Sequence, residues 1–371
     1  MDFTLGEDLD ELRKLAREIF TDHATPERLR AAETSTTRVD DTLWADLGAA
    51  GLLAAPLPEE EGGAGLGLAG LCVLLEEQGR RVAPVPLWPA VLAALAVAGF
   101  GSAGQRAALL PGAVDGTSRI TLALEEFAPA DARTPLTTAA PDGTGWRLTG
   151  TKAVVPSAAG AEHVLVAATT GSGAGLFLVR RDAPGATWTP AETTTYDLSA
   201  HLDLDGTPAE AVGAPGAGVL EWTVGRARTA LAAVQLGVTQ GALAYAAEHL
   251  GAREQFGRPL ATFQAVQHQL ADCVIEIDAM RVTLWQAVTA LEDGQDTERA
   301  VLVAKWWAGE GGLNVVHRVQ HVHGGIGVDT DYPVHRHFLW GKQIATTLGG
   351  AAADLSRLGD LLAEADTAVA S

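Results

Sequence analysis

Two short segments carry residue types and spacings suited to chemistry. The first is Arg253-Glu254-Gln255-Phe256-Gly257-Arg258-Pro259-Leu260, followed by Phe263-Gln264 and then Ala271-Asp272. The second is His321-Val322-His323-Gly324-Gly325-Ile326-Gly327, with Asp331-Tyr332-Pro333 behind it. A guanidinium offers forked donors, and glycines let a ligand approach the backbone unhindered, so Arg253 and the glycines together supply what a pyrophosphate group needs. Each also has a plainer reading: a solvated Arg–Glu pair for the first, a helix C-cap and its turn for the second. Glu125, Glu126 and Asp329 are candidate bases, though each reads better as a loop or solvated carboxylate. The histidines at 317, 321, 323, 335 and 337 lie near Asp329 and Asp331. A spacing of two on a helix sends side chains to different faces, so no metal site is expected. Trp306-Trp307 reads as core or helix-interface packing and Arg336 as a structural or interface cation.

The elements that must position these residues follow an order of helices, strands, helices. From Leu5 to about Gly112 apolar residues recur at helical spacing, as in Leu9, Leu12, Leu15 and Ile19. From Ile120 to about Gly218 the chain turns to Thr, Gly, Pro and Val, with short runs such as Val164-Leu165-Val166-Ala167 between turn residues. Beyond Leu220, long Ala-rich segments predict helices at roughly 223–251, 260–293 and 297–320, a Gly-rich break at 323–327 and a last helix beginning near Gln343. The expected class is α+β, with domains at 1–118, 119–218 and 219–371.

Composition narrows the partners. The 371 residues carry a formal charge of −20, which opposes nucleic acid and anionic membrane surfaces. Cys72 and Cys273 are too few for a disulfide framework or a zinc site and suit a reducing compartment. The acidic start shows no secretory pattern, and the apolar stretch from Val82 to Phe100 is broken by Pro84, Pro86, Pro89 and Gly99. A cytoplasmic protein with no membrane partner is expected.

The two motifs together, at this distance and in this order of elements, resemble the acyl-CoA dehydrogenase family. The resemblance covers nearly the whole chain, the middle block by layout more than by residues. It implies an N-terminal helical domain, a β-barrel-like middle domain and a C-terminal four-helix bundle, with FAD as cofactor and an acyl-CoA as substrate. An electron-transfer flavoprotein or similar acceptor is the implied redox partner. On that resemblance Arg253 would contact the FAD pyrophosphate and Gln255 and Phe256 would pack around the ADP part. Gln264 would hydrogen-bond it, Gly324 and Gly325 would admit the adenosine end, and His321 stands where the family usually has Gln. In the family these contacts reach the FAD held mainly by a neighbouring subunit.

The other half of the flavin site departs from the family. Where Thr-Glu-Pro-Gly-Ala-Gly-Ser-Asp is typical, this chain has Glu125-Glu126-Phe127-Ala128-Pro129-Ala130-Asp131, with Glu125 at the hydroxyl position. A Trp-Ile-Thr-Asn strand appears as Val154-Val155-Pro156-Ser157. The two family positions for the catalytic glutamate fall on Leu348 and Ala227, so no residue of this chain is expected to be catalytic. The pattern resembles the non-catalytic subunit of bacterial α2β2 enzymes acting on CoA thioesters of steroid side chains and ring fragments, with FAD at the unlike interface. Phe338-Leu339-Trp340 and Thr347-Leu348-Gly349-Gly350 resemble that subgroup. The competing readings are a self-sufficient homotetramer with a relocated base and a scaffold without flavin.

Overall fold

A computed structural model describes residues 5–127 and 131–370. The N-terminal helices are α1 (Glu7–His23), α2 (Pro26–Thr34), α3 (Asp41–Ala49), α4 (Gly67–Arg81), α5 (Leu87–Phe100) and α6 (Ala103–Asp115). Local chemistry sets their starts. Thr25 caps α2 ahead of Pro26, Asp40 accepts from the Leu43 amide at 3.0 Å, and Ser102 with Gln105 forms a reciprocal capping box on α6.

The strands are β1 (Ile120–Ala123), β2 (Thr138–Asp142), β3 (Gly145–Val155), β4 (His163–Thr170), β5 (Gly173–Arg180), β6 (Ala186–Glu192) and β7 (Leu198–Val212). Pairing runs β4–β2–β3–β7–β5 and returns from β5 to β4, so the path closes into a barrel, with β1 added parallel to β4 and β6 antiparallel to β7. Closure leaves outer edges only on the two added strands, β1 and β6. Leu148, Val155, Val164, Val166, Phe177, Val179, Leu202 and Leu204 fill its core.

The C-terminal helices are α7 (Val219–Ala252), α8 (Gln264–Asp293), α9 (Thr297–His323), α10 (Val334–Thr346) and α11 (Ala351–Ala370), with a short hairpin of β8 (Glu254–Gln255) and β9 (Arg258–Pro259) between α7 and α8. Residues 14–71 and 84–227 form one compact unit and residues 1–13, 72–83 and 228–371 another. In the latter, α4 and α7 approach with backbones nearly touching: a methyl group on Gly79 would overlap the Val234 carbonyl, and one on Gly237 the Glu76 carbonyl. Helix α7 is long and apolar enough to cross a membrane, but 78% of its most apolar window is buried inside the protein, as in a core helix.

The last stretch departs from expectation. Instead of one helix starting near Gln343, α10 begins at Val334 and stops at Thr346, and α11 starts at Ala351. Leu348 and Gly349 between them have φ of 57° and 99°, which an α-helix does not accommodate. Leucine is not a usual residue for that conformation, so the break carries little signature in the sequence.

Candidate cofactor site

Helix α7 ends at Ala252, and the chain turns at once into the β8–β9 hairpin, pairing Gln255 with Arg258 around a two-residue turn. Both turn residues, Phe256 and Gly257, have positive φ, 54° and 75°, the geometry that matches the twist of a tight hairpin. For glycine this is easy, but for a phenylalanine it costs on the order of 1–2 kcal/mol. Phe256 is nevertheless 91% exposed, held at the tip with its ring edge-on to Phe263 at 6.1 Å. Strain in an exposed aromatic side chain points to a task outside the chain's own core. The Arg258 guanidinium lies 4.1 Å over the Phe263 ring, and the Leu260 amide donates to the Arg253 carbonyl at 2.9 Å, so the hairpin is braced at both ends. Arg253, Gln255 and Gln264 are exposed, and the Arg253 guanidinium has no hydrogen-bond or ion-pair partner among the described residues. Helix α8 begins at Gln264 with no side-chain cap, the Val266 and Gln267 amides turning back to the Phe263 carbonyl at 3.0 Å.

The second segment closes α9. His321 is exposed and His323 buried, and the helix ends at Gly324 with φ 64° and ψ −141°, backbone space open essentially to glycine alone. A Cβ built on Gly324 or Gly325 meets nothing within 4 Å, so the backbone there is uncovered. The two segments meet through a pair absent from either motif's expected roles. The His249 ring, four residues before Arg253, stacks on His323 with centroids 4.8 Å apart and planes 20° apart. The His323 Nδ1–H donates to the Val319 carbonyl at 2.7 Å, and Tyr332 Oη lies 3.5 Å from its Nε2. An unpartnered guanidinium, an exposed aromatic ring and bare glycine backbone fit a phosphate-bearing dinucleotide such as FAD. No motif in the sequence marks His249; only its place four residues before Arg253 sets it near the first segment.

The β1–β2 connection is occupied differently. Ala128, Pro129 and Ala130 lie outside the described residues. Glu126 accepts from the Leu136 amide at 2.7 Å, the Thr137 amide at 2.9 Å, the Thr137 hydroxyl at 2.7 Å and Lys152 Nζ at 2.6 Å. Burial pushes its carboxyl pKa up, but the bonds from Lys152 and Thr137 outweigh this and hold it below the ordinary value. Burial pushes Lys152, with no exposed side-chain surface, down to about 8, while Glu126 pulls the other way. A base for an α-proton needs a raised pKa, and Glu126 is held the other way. The Phe127 ring, 67% exposed, sits 4.8 Å from that of His201, whose Nδ1 accepts from the Val154 amide at 3.1 Å. Val154 and Ser157 both have left-handed backbone, and Asp197 accepts from the Ser157 amide and hydroxyl at 2.7 and 2.6 Å. Asp329, exposed in its loop, accepts from the Asp331 amide at 2.9 Å.

Neither sequence-marked base position carries an ionisable group. Leu348 is 4% exposed, and Lys305 Nζ, fully buried, donates to the carbonyl of the next residue, Gly349, at 3.0 Å. Ala227 is fully buried in α7. Among the described residues no group of three His, Cys, Asp or Glu is placed to hold a metal ion.

Residues 6–117 match the family model for the acyl-CoA dehydrogenase N-terminal domain, and residues 215–354 match the C-terminal domain model. The chain belongs to the acyl-CoA dehydrogenase family. FAD is that family's cofactor. The chain is 40% identical over 377 residues to acyl-CoA dehydrogenase FadE27 of Mycobacterium tuberculosis, covering 98% of this chain and 99% of that one. Among solved structures it is similar to a chain of the Tcur3481-Tcur3483 steroid ACAD G363A variant, at 66% identity and a TM-score of 0.95, covering 98% and 100% of the two chains. It is also similar to a chain of the ChsE4-ChsE5 complex from Mycobacterium tuberculosis, at 39% identity and a TM-score of 0.93, covering 98% and 99%.

Proposed function

We propose that this chain is the non-catalytic subunit of a heteromeric, FAD-dependent acyl-CoA dehydrogenase, and that it completes the FAD site of an unlike, homologous partner. The observation that carries the reading is a contrast in hydrogen bonding. The Arg253 guanidinium is exposed and has no partner among the described residues, whereas the Glu126 carboxylate of the β1–β2 connection accepts four hydrogen bonds from its own fold. In the partner's site Arg253 would pair with the pyrophosphate, the Phe256 ring and Gln255 would pack on the ADP portion, and Gln264 and His321 would add hydrogen bonds. Bare backbone at Gly324 and Gly325 would admit the adenosine end. FAD, when bound, accepts the hydride from the substrate's β-carbon. Removal of the α-proton falls to a carboxylate of the partner, because Leu348 and Ala227 accept no proton.

Similarity to a steroid ACAD and to a two-protein complex supports a CoA thioester derived from a steroid as the substrate class and assembly with an unlike partner, which the subgroup resemblance makes α2β2. Electrons would leave through an electron-transfer flavoprotein or a similar acceptor. The test is flavin content per protomer and acyl-CoA turnover, for the chain expressed alone and with an adjacently encoded homologue. The expected result is a colourless, inactive lone chain and an active yellow pair holding about one FAD per two protomers. A lone chain with one FAD per protomer and turnover would refute the proposal.

A further inference from the structure

The stack of His249 on His323 has a geometry that the family motifs do not require. It joins the end of α7, where Arg253 begins the hairpin, to the end of α9, where the bare glycines lie. The ring of His323 is fixed by two bonds, Nδ1 to the Val319 carbonyl and Nε2 toward the Tyr332 hydroxyl. The ring of His249 is not: neither of its nitrogens has a hydrogen-bond partner among the described residues, and the residue is half-buried. The groups facing it are Arg253 from its own chain segment, the His323 ring from α9, and the Tyr332 ring at 6.1 Å. No carboxylate is among them. A histidine held by a flat neighbour, with free ring nitrogens and only neutral or cationic company, is poised for an anion.

We propose that His249 is an additional cofactor-binding residue of this subunit, and that it takes up a proton when the dinucleotide pyrophosphate binds beside Arg253. The inference rests on the preceding proposal. Without an anion, burial first, then His323 and Arg253, lower the pKa of His249 below its ordinary 6.5. A pyrophosphate beside the ring reverses the sign of its surroundings and raises that pKa. Linkage follows: where the bound state holds more protons than the free state, affinity falls as pH rises, by up to about tenfold per pH unit for one proton. The window opens below 6.5, at the lowered free pKa, and closes at the higher bound one. The stack serves the same end mechanically, since ring-on-ring contact keeps the imidazole from swinging into solvent while the site is empty of charge.

The experiment uses the co-purified complex, stripped of flavin and titrated with FAD by flavin fluorescence from pH 5.5 to 8.5 at fixed ionic strength. Calorimetry in two buffers of different ionisation enthalpy counts the protons taken up. The native complex is expected to bind FAD more weakly with rising pH across the window and to take up a fraction of a proton near pH 6.5. His249→Phe keeps the ring stack and removes the titration, so its pH slope and proton uptake should fall to the background of the remaining groups. If that variant fails to assemble, His249→Gln, a neutral hydrogen-bonding side chain, is read the same way. An unchanged slope and unchanged uptake in the variant would overturn the proposal. Arg253→Gln separates the two levels. If it leaves FAD affinity untouched, the trans-site reading fails. If it weakens FAD while His249→Phe keeps the native slope, only the role of His249 fails.

Discussion

Replacing Glu126 by alanine tests whether this carboxylate of the β1–β2 connection is structural. The substitution deletes the acceptor of four hydrogen bonds and strands the ammonium of Lys152, which has no exposed side-chain surface. Removing one member of a buried ion pair costs about 3–5 kcal/mol, because the other charge stays desolvated. For a cooperative unit of roughly 150–250 residues that corresponds to a melting temperature lower by about 6–20 °C. Glu126→Gln keeps an acceptor oxygen for Thr137 and should cost less, while adding Lys152→Met to it should recover much of the loss, since no charge is then buried. Thermal unfolding followed by tryptophan fluorescence measures all three. The pH signs are also fixed. Glu126, with its folded pKa lowered, contributes stability above its unfolded value of 4.5, and that contribution is lost as pH falls through the folded value. Lys152, lowered from 10.5 to about 8, is costly to keep charged below 8, so stability rises between about pH 8 and 10.5. The refuting result is specific: a Glu126→Ala complex with native stability and no acyl-CoA turnover would make Glu126 a base and this account wrong.

Arg253→Gln should leave the melting temperature within about 1 °C, because the guanidinium is exposed and unpartnered, while FAD affinity of the complex drops about 10- to 100-fold through loss of charge-assisted hydrogen bonds worth about 1.5–3 kcal/mol. Gly237→Ala should yield little folded protein, since its methyl group meets the Glu76 backbone rather than a side chain that can move, and recovery of soluble complex reads this out. Burial pushes His337 down to about 4 while its Nε2–H donates to the Arg80 carbonyl at 3.1 Å, so it binds fewer protons folded than unfolded. Stability should therefore fall as pH drops from 6.5 toward 4, and His337→Gln should flatten that slope in denaturant titrations across the interval.

What the sequence disclosed, and what it withheld, divides by range. The order of helices, strands and helices was legible because apolar periodicity is local, and Arg253, Gln264 and the Gly324-Gly325 pair could be singled out as candidates because their chemistry is visible in their types. The Glu126–Lys152 pair joins residues 26 apart in the chain, and a carboxylate known only by its type cannot be told as base, solvated group or strut until its donors are seen. The left-handed backbone at Leu348 and Phe256 was invisible for the opposite reason: neither residue favours it, so tertiary structure must impose it. Helix α7 shows a third limit, because its apolar length passes a membrane-span criterion that only its burial answers.

Those two strained residues sharpen the division of labour. Leu348 is buried, with the neighbouring Gly349 carbonyl tied to a fully buried Lys305, so its strain is absorbed by the chain's own interior. Phe256 has the same backbone conformation and almost no cover, so no internal packing repays its cost. A side chain kept in an unfavourable conformation at the surface persists when something outside the chain repays it, and the unsatisfied guanidinium three residues earlier needs a partner of the same origin. Both needs are met at once if the cofactor of a neighbouring subunit lies against the hairpin, which predicts that Phe256→Gly stabilises the isolated chain by removing the strain while weakening FAD in the complex.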